Sequence, residues 1–377
     1  MKPLSALVTI VIGTRPEAIK LAPVIKEFKS KKYIDVRIVL TGQHKELVEE
    51  VLKVFEINYN LDLGLMSVNQ TLQHITIKTI EGLEKEFNSY QPDLLIIQGD
   101  TTSAFVASLS AFYKKIPIAH VEAGLRTNYI YDPYPEEVNR RLISQMACLN
   151  FAPTTRSKEN LVKSNIDGKI VITGNTVIDA LLEASPKAPN IEFFKEKNSD
   201  YRLILLTVHR RENIGKRLEN IVKGILSIVN SNNNVRFLIP MHPNPKVRIT
   251  FKNFLDNIQQ IKLCEPLSYL EMISAMKQSY FIMTDSGGIQ EEAPSLEKPV
   301  LILRNTTERP EGVESGAARL IGTDSERIFI ETNKLLEDSN LYQLMSSASN
   351  PYGDGKSSRR IVDVCLKQIQ ENEFLKM

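Results

Sequence analysis

Short apolar runs alternate with longer amphipathic stretches along the whole 377-residue chain. The apolar runs predict buried strands and the amphipathic stretches predict helices, an alternation typical of parallel sheets covered by helices. In the first half, strands are predicted at residues 8–12, 36–40, 94–98, 116–121, 149–152 and 169–173. Helices are predicted between them, at residues 18–28, 46–55, 72–87, 103–112, 137–147 and 158–164.

A polar segment with proline and asparagine, residues 184–200, interrupts this pattern and is the predicted linker. After it the alternation restarts, with strands predicted at residues 203–208, 235–239, 261–263, 280–283 and 300–303. The predicted helices of this half are residues 218–230, 270–276, 289–296, 325–336 and 358–375.

The chain is also longer than a single hydrophobic core usually grows. We therefore predict an α/β protein of two Rossmann-like doubly wound domains, residues 1–183 and 184–357, followed by a last helix in residues 358–377. Ligands of such sheets bind outside the carboxyl ends of the strands, so we expect the ligand in a cleft between the domains.

Composition and charge exclude some classes of function. The 47 Lys and Arg residues nearly balance 45 Asp and Glu residues, so no overall basic field favours nucleic acid or an anionic membrane. The apolar stretch at residues 4–12 is too short to span a bilayer and is predicted to be the first strand. The three cysteines are far apart and suit a reducing compartment. We expect a cytoplasmic protein that is not associated with a membrane.

The first candidate ligand-binding segment follows the first strand, at residues 13–17 (GTRPE). Pro16 suits the first helical position, so the free amides of the helix start and Arg15 face a ligand where an anion is favoured. Lys20 lies one helical turn onward. We prefer Arg15 or Lys20 as a phosphate ligand to the alternative of a solvated helix end.

Three acids are expected to converge on one rim of the first sheet. Asp100 follows a strand in QGDTT, where capping the next helix is an equally good interpretation. Glu122 follows the neighbouring strand, with Arg126 nearby, and Glu136 stands at a helix start ahead of Arg140. Such a set could supply proton donors and acceptors around a sugar.

In the second half, two histidines each follow a predicted strand, His209 in HRREN and His242 in MHPN. A single histidine is more often structural than catalytic, but the position of His209 among cations suits a phosphate contact.

The most specific segment is residues 284–292 (TDSGGIQEE), which passes from a strand through two glycines into a helix. Free amides at Gly287 and Gly288 could cradle a diphosphate, with a hydroxyl from Ser286. Glu292 could reach a ribose hydroxyl. The alternative is a plain turn with glycine at the bend.

Absent motifs restrict the chemistry further. No G-x-G-x-x-G follows the first strand, so nicotinamide or flavin binding lacks its fingerprint. Residues 355–357 (GKS) lack the earlier glycine of a P-loop, because Asn350 stands there. The sequence has no Asp-x-Asp and no H-E-x-x-H, and a metal site built from His209 and the carboxylates is a minor alternative.

As a set, the motifs resemble the non-hydrolysing UDP-N-acetylglucosamine 2-epimerases over nearly the whole chain. They are GTRPE at 13–17, QGDTT at 98–102, HVEAGLRT at 120–127, PEEVNR at 135–140, HRREN at 209–213, DSGGIQEE at 285–292, NTTERPEG at 305–312 and NPYGDGK at 350–356. The resemblance implies the two-domain GT-B fold, a homodimer, and a last helix that packs back on the first domain.

The resemblance also implies the reaction, which needs no external cofactor. UDP-N-acetylglucosamine (UDP-GlcNAc) loses UDP by anti elimination across C1 and C2, and UDP adds back to 2-acetamidoglucal to give UDP-N-acetylmannosamine (UDP-ManNAc). That product points to a surface polysaccharide pathway. The resemblance implies that the catalytic acids are Asp100, Glu122 and Glu136, with His209 beside the phosphates. Which acid acts on which face of the sugar stays open.

The binding residues are implied in the same way. Phosphate contacts fall on Arg15, His209, Ser286, Gly287 and Gly288. Glu292 is implied to bind the ribose, and Lys20 and Arg140 are implied to lie on the sugar side of the site.

Bacterial members of the family are activated by UDP-GlcNAc bound next to the active site. Gln43, Arg210 and His242 stand at positions that look like that allosteric pocket. Glu46 and Asn69 replace residues that are commonly Gln and Arg, and loss of an arginine weakens a diphosphate contact.

Three other functions remain open. A hydrolysing 2-epimerase would share the elimination but release UDP and free N-acetylmannosamine. A GT-B glycosyltransferase would often carry a basic, apolar membrane-facing stripe, which the first half lacks. A binding regulator without catalysis would be expected to have lost one of the acids or His209, and all are present.

Overall fold

The computed structural model describes residues 6–42, 45–66, 71–127, 129–194 and 200–376. The chain divides into two compact units. The amino-terminal unit comprises Met1–Ala180 with Gly353–Met377, and the carboxy-terminal unit comprises Leu181–Tyr352. Each unit contains one sheet whose paired strands are all parallel.

The amino-terminal unit has a seven-stranded sheet in the order β3-β2-β1-β4-β5-β6-β7. Its strands are β1 (Ala6–Ile12), β2 (Ile34–Leu40), β3 (Leu61–Asp62), β4 (Leu94–Gln98), β5 (Ile118–Val121), β6 (Leu149–Ala152) and β7 (Lys169–Ile172). The helices that connect or follow them are α1 (Arg15–Lys29), α2 (Lys45–Val54), α3 (Leu72–Ser89), α4 (Thr102–Tyr113), α5 (Glu136–Met146), α6 (Thr155–Lys163) and α7 (Thr176–Ala184).

The carboxy-terminal unit has a six-stranded sheet in the order β10-β9-β8-β11-β12-β13. Its strands are β8 (Arg202–Thr207), β9 (Val235–Pro240), β10 (Ile261–Cys264), β11 (Phe281–Thr284), β12 (Val300–Ile302) and β13 (Ala318–Leu320). Its helices are α8 (Lys216–Ser231), α9 (Pro245–Leu255), α10 (Tyr269–Gln278), α11 (Gly287–Glu292), α12 (Pro310–Glu314), α13 (Ser325–Glu337) and α14 (Ser339–Ser346). Short 3₁₀ turns lie at Ser185–Lys187, Arg211–Asn213 and Ala293–Leu296.

The last helix, α15 (Ser357–Lys376), belongs to the amino-terminal unit and packs against α1. The carboxylate of Asp179 accepts hydrogen bonds from the backbone N–H groups of Ser357 (3.2 Å) and Ser358 (2.7 Å). The Ser358 hydroxyl donates to the same carboxylate at 2.6 Å. Because free N–H groups at a helix start need acceptors, Asp179 fixes where α15 begins.

The central strands are continuous apolar runs, as expected for sheets covered on both faces. Val8, Ile10 and Ile12 of β1 are fully buried, and so are residues 94–97 of β4. The strand order changes direction between β1 and β4, and between β8 and β11 in the second sheet. The loops that follow these four strands therefore lie at the switch points where doubly wound sheets bind ligands.

The predicted fold class, two Rossmann-like domains with parallel sheets, is confirmed. Several elements were not predicted, namely β3, β13, α7, α9, α12 and α14. Helix α1 begins at Arg15 rather than at residue 18, because Pro16 fits the first turn and Glu17 accepts the N–H of Thr14. None of the helices in the described ranges is long and apolar enough to cross a membrane.

Candidate active site

The Glu122 carboxylate is held at the end of β5 by a buried ion pair. Lys20 Nζ lies 2.5 and 2.6 Å from its two oxygens, Asn175 Nδ2 donates at 2.8 Å, and Gln98 Nε2 also donates. Glu122 itself has a φ of 63°, a left-handed conformation that costs a non-glycine residue energy. A buried carboxylate is tolerated only with such partners, so this side chain is firmly placed.

Asp100 stands at the tip of β4, the strand next to β5. Its carboxylate pairs with Arg140 Nη2 at 2.6 Å, and its backbone carbonyl accepts from Asn139 Nδ2 at 2.9 Å. Burial raises the pKa of Asp100; Arg140 opposes this rise and the charge of Glu122 adds to it. The structure thus brings Asp100, Glu122, Lys20 and Arg140 together.

Glu136 is the first residue of α5, and its Oε2 atom is buried without a hydrogen-bond partner among the described residues. Such an oxygen is available to accept a further hydrogen bond. Arg126 is directed elsewhere: it donates to the Leu125 carbonyl at 2.8 Å and to Ser144 Oγ at 3.3 Å. Burial lowers the pKa of Arg126 to about 10.

Arg15 and Lys20, the two predicted phosphate ligands, have different surroundings. Arg15 begins α1 and is partly exposed, so it can meet a ligand. Lys20 is buried and bound to Glu122, a placement that favours the sugar side over a phosphate contact.

In the carboxy-terminal unit, a fully buried carboxylate at Asp285 orients His209. Asp285 accepts the backbone N–H of His209 (3.1 Å) and of Arg210 (3.0 Å), and the Asn213 amide at 2.9 Å. Its Oδ1 atom lies 3.0 Å from His209 Nδ1. Burial would raise the pKa of Asp285, but His209 and the other donors lower it overall, so the carboxylate is ionised. The carboxylate therefore fixes a hydrogen on Nδ1 of His209.

The glycine turn that begins α11 follows Asp285 directly. Ser286 is the N-cap residue, and Gly287 lies so close to the Arg309 guanidinium that a Cβ atom there would overlap it. At Gly288 the nearest atom to a Cβ would be Ser286 Oγ, at 4.0 Å. Glu292, at the end of α11, is buried. The absence of a side chain at Gly287 is therefore required by the protein, whereas Gly288 is open to a ligand.

A buried charge network that the sequence did not predict surrounds Glu308. Glu308 accepts from Arg210 Nη2 and Arg309 Nη1, both at 2.9 Å, and from Arg304 Nη1 at 2.5 Å. Burial opposes ionisation, yet the three arginines lower the pKa of Glu308 to about 2. Arg309 also binds Glu291 at 2.6 Å. The network fixes the arginine that packs on Gly287.

The predicted allosteric residues are placed only in part, because Gln43 and Asn69 lie outside the described residues. Arg210 and His242 both adjoin His209: Arg210 shares Asp285 with it, and the His242 ring stacks on it at 6.1 Å. Burial and the charge of His209 lower the pKa of His242. Glu46 is exposed in the first turn of α2.

Two further positions, Asp285 and Glu17, were missed as functional candidates although both lie in the quoted motifs. Glu17 is 3% exposed, and burial raises its pKa to about 7 against the effect of its hydrogen bonds. In the part of the chain that the structure describes, no group of three or more His, Cys, Asp or Glu side chains could hold a metal ion.

Comparison with known proteins decides the family. The family model described as UDP-N-acetylglucosamine 2-epimerase matches residues 26–366 of this chain. The chain belongs to the UDP-N-acetylglucosamine 2-epimerase family. Its resemblance to these epimerases, first seen in the motifs, is thereby confirmed, and the protein is an isomerase.

Individual relatives of the epimerase match it over almost their full length. A UDP-N-acetylglucosamine 2-epimerase of Campylobacter jejuni is 45% identical over 373 residues, covering 96% of this chain and 97% of the relative. The crystal structure of the Neisseria meningitidis UDP-GlcNAc 2-epimerase bound to UDP-GlcNAc has a TM-score of 0.90 at 44% identity, covering 96% and 100% of the two chains. The S. aureus MnaA–UDP co-structure has a TM-score of 0.84 at 43% identity, covering 95% of each chain. The GT-B type of the fold is thus confirmed as well.

Proposed function

We propose that this protein is a non-hydrolysing UDP-GlcNAc 2-epimerase, which interconverts UDP-GlcNAc and UDP-ManNAc without an external cofactor. The observation that carries the proposal is the set of acids in the amino-terminal unit. Glu122 and Asp100 stand on adjacent strand tips, each paired with a cation, and Glu136 has a buried oxygen without a partner among the described residues.

The proposed reaction balances without an oxidant or reductant. A base removes the C2 proton while the C1–O bond to UDP breaks, which gives 2-acetamidoglucal and UDP. UDP then adds back to C1, and an acid delivers a proton to the opposite face of C2. The C2 proton is weakly acidic, so its removal requires a positioned base and simultaneous stabilisation of the departing phosphate.

The surroundings of the acids support this chemistry. A carboxylate fixed in place, as Glu122 is by Lys20, can be positioned to exchange a proton with a substrate. One whose pKa is raised, as that of Asp100 is by burial, is closer to donating one. We assign proton transfer to Asp100, Glu122 and Glu136 as a set, with Arg140 supporting the sugar side.

The diphosphate is proposed to bind through His209 and the glycine turn of the carboxy-terminal unit, with Arg15 as a further contact. The amides of Gly287 and Gly288 lie at a helix start, where an anion is favoured, and Ser286 would add its hydroxyl. Glu292 is proposed to bind the ribose. The UDP-GlcNAc bound to the Neisseria meningitidis epimerase and the UDP bound to S. aureus MnaA support this ligand.

The proposal also includes a homodimer, a cytoplasmic location and activation by a second molecule of UDP-GlcNAc. The position of Arg210 and His242 beside His209 supports the activator pocket, to which Gln43 would contribute. The free cysteines Cys148, Cys264 and Cys365 support a reducing compartment. The pathway proposed for UDP-ManNAc is synthesis of a surface polysaccharide.

The proposal is tested by separating the products on anion-exchange chromatography after the purified protein is incubated with UDP-GlcNAc alone. We expect UDP-ManNAc to appear until the two nucleotide sugars reach a constant ratio, the same from either side, with their sum conserved. Parallel release of UDP and free N-acetylmannosamine would indicate the hydrolysing reaction instead. An unchanged substrate, with UDP still stabilising the protein against heat, would favour a glycosyltransferase or a binding regulator.

A further inference from the structure

Glu17 joins the two loops that follow the central strands β1 and β4. Its Oε2 atom accepts the backbone N–H of Gly13 and, at 2.8 Å, that of Thr14, both in the loop after β1. Its Oε1 atom accepts the hydroxyl of Thr101 at 2.5 Å, from the loop after β4. A glutamate at this helical position ordinarily caps only its own helix, with its second oxygen in water. Here the second oxygen is buried and accepts a hydrogen bond from another loop.

Thr101 is the residue after Asp100, and its hydroxyl has two fixed partners. It donates to Glu17 and accepts the N–H of Ala104 at 3.1 Å as the N-cap of α4. The loop after β1 also lies against the start of α4, the helix that Thr101 caps, since a Cβ atom on Gly13 would lie 2.8 Å from Cβ of Ser103. Movement of one loop is therefore transmitted to the other.

The remainder of the Asp100 turn is held from the other side. The Gly99 carbonyl accepts from His120 Nε2 at 2.7 Å, and the Asp100 carbonyl accepts from Asn139 at 2.9 Å. Burial lowers the pKa of His120 to about 4, so the ring is neutral and donates from Nε2. Gly99 has a φ of 73°, which suits glycine. Glu17 supplies the contact that holds the Thr101 end of this turn.

Helix α1 also carries the partner of the second acid. Lys20 lies one turn after Glu17 and binds Glu122. The start of α1 is attached to Thr101 through Glu17 and to Glu122 through Lys20. The position of this helix therefore affects Asp100 and Glu122 together. A shift of about 1 Å in a catalytic group can cost on the order of 100-fold in rate.

We infer that Glu17 is a positioning residue of the epimerase, which sets the place of Asp100 through Thr101 and the spacing of Asp100 from Glu122 through α1. The inference rests on the proposed function. Glu17 takes no part in the bonds made or broken. Its removal should therefore lower kcat while leaving KM for UDP-GlcNAc nearly unchanged.

The test measures kcat and KM for the wild type and for Glu17→Ala and Glu17→Gln, with conversion of UDP-GlcNAc as the readout. We expect E17A to lose about 10- to 100-fold in kcat with KM within about threefold. E17Q should recover most of that loss, because its carbonyl oxygen can accept both N–H groups while its NH₂ group donates to Thr101 Oγ1. Glu86→Ala is the matched control, since Glu86 is also a buried acid of this unit but pairs with Arg37 in β2.

A second pair of variants keeps the inference testable if E17A does not fold. Thr101→Val loses the bridging hydroxyl and should show the same fall in kcat, whereas Thr101→Ser retains it and should not. Thr154→Val is the control for the lost helix cap, because Thr154 caps α6 without binding Glu17. The E17A/T101V double variant should be slower than E17A by less than the fold-loss of T101V alone, since both substitutions remove the Glu17–Thr101 hydrogen bond.

Three results would overturn the inference while the wild type epimerises normally. The first is a kcat that stays unchanged in E17A or T101V. The second is a control variant, E86A or T154V, whose kcat falls as far as that of the variant it controls. The third is a double variant whose loss in kcat equals the product of the two single losses. A wild type that does not epimerise would instead overturn the proposed function, so the two failures are distinguishable.

Discussion

At the scale of single residues, three carboxylates among the candidate residues are each matched by a specific partner. Glu122 has Lys20, Asp100 has Arg140, and Asp285 has His209. Burial makes an unpaired charge costly, so each pair also fixes the geometry of its members. The sequence identified most of these residues but not their pairing, since partners such as Lys20 and Glu122 are 102 positions apart.

Asp285→Asn tests the pairing in the carboxy-terminal unit. The amide cannot accept as many hydrogen bonds as the carboxylate, so His209 loses the partner that fixes its hydrogen on Nδ1. We expect kcat to fall by roughly 100-fold, in the range for a lost acid–base contribution. Asp324→Asn is the control, because Asp324 is exposed and caps α13, where asparagine serves equally well. Activity of D285N within twofold of the wild type would contradict this role of Asp285.

Glu17 gives a pH prediction whose sign follows from its raised pKa. The pKa is about 7 in the folded protein and 4.5 ordinarily, so the folded state binds the proton more tightly than the unfolded state. Its stabilising contribution is complete below about pH 4.5 and is lost as the pH rises through 7. Glutamine does not titrate. The free energy of unfolding of the wild type, minus that of E17Q, should therefore fall by about 3 kcal/mol between pH 4.5 and 8.

Urea denaturation across that pH range measures this difference. Subtracting E17Q removes the titration of all groups that the two proteins share. A difference that stays constant with pH would show that Glu17 has an ordinary pKa in the folded protein.

At the scale of elements, the strands and helices that form continuous apolar runs or strong amphipathic stretches were predictable. The missed strands β3 and β13 have two and three residues and depend on pairing with a neighbour. Helix α9 buries only Val247, Phe251 and Leu255, and its apolar Ile249 and Phe254 are exposed, which blurs the amphipathic pattern. Helix α12 has five residues and depends on Pro310 at its start. Tertiary contacts define these elements more than their own patterns do.

The start of α11 gives a prediction that separates two neighbouring glycines. Gly287→Ala would place Cβ against the Arg309 guanidinium, which Glu291 and Glu308 hold in place, so we expect a loss of about 1–3 kcal/mol in the free energy of unfolding. Gly288→Ala meets open space and should not destabilise the protein. Chemical denaturation without ligand measures both. Equal destabilisation by the two substitutions would contradict the packing at Gly287.

At the scale of the whole molecule, the chain forms two units of related architecture, and its last segment returns to the first. Each unit has a reversal of strand order at its centre, and several candidate residues follow the strands at that point, among them Arg15, Asp100, His209 and Ser286. The resemblance implied the return of the last helix, whereas the apolar pattern alone predicted only that a helix forms there. A pattern along one helix does not specify which unit covers it.

Removal of α15 should therefore destabilise the amino-terminal unit. Its buried side chains are Ile361, Val362, Cys365 and Ile369. A chain that ends at residue 356 should lose roughly 5 kcal/mol or more from this unit, and Ile361→Ala about 2–5 kcal/mol. Asp363→Ala, at an exposed position of the same helix, is the control. Differential scanning calorimetry measures the effect, and an unchanged unfolding temperature in the truncated chain would contradict it.

The most direct test of the proposed reaction is proton NMR of the protein with UDP-GlcNAc in deuterium oxide, with no cofactor added. Elimination and re-addition require that the C2 proton leaves and that one from solvent replaces it. We predict that UDP-ManNAc appears with deuterium at C2, and that deuterium enters C2 of UDP-GlcNAc as the reaction reverses. Formation of UDP-ManNAc that keeps its original C2 proton would contradict the mechanism, and no conversion at all would contradict the proposed function.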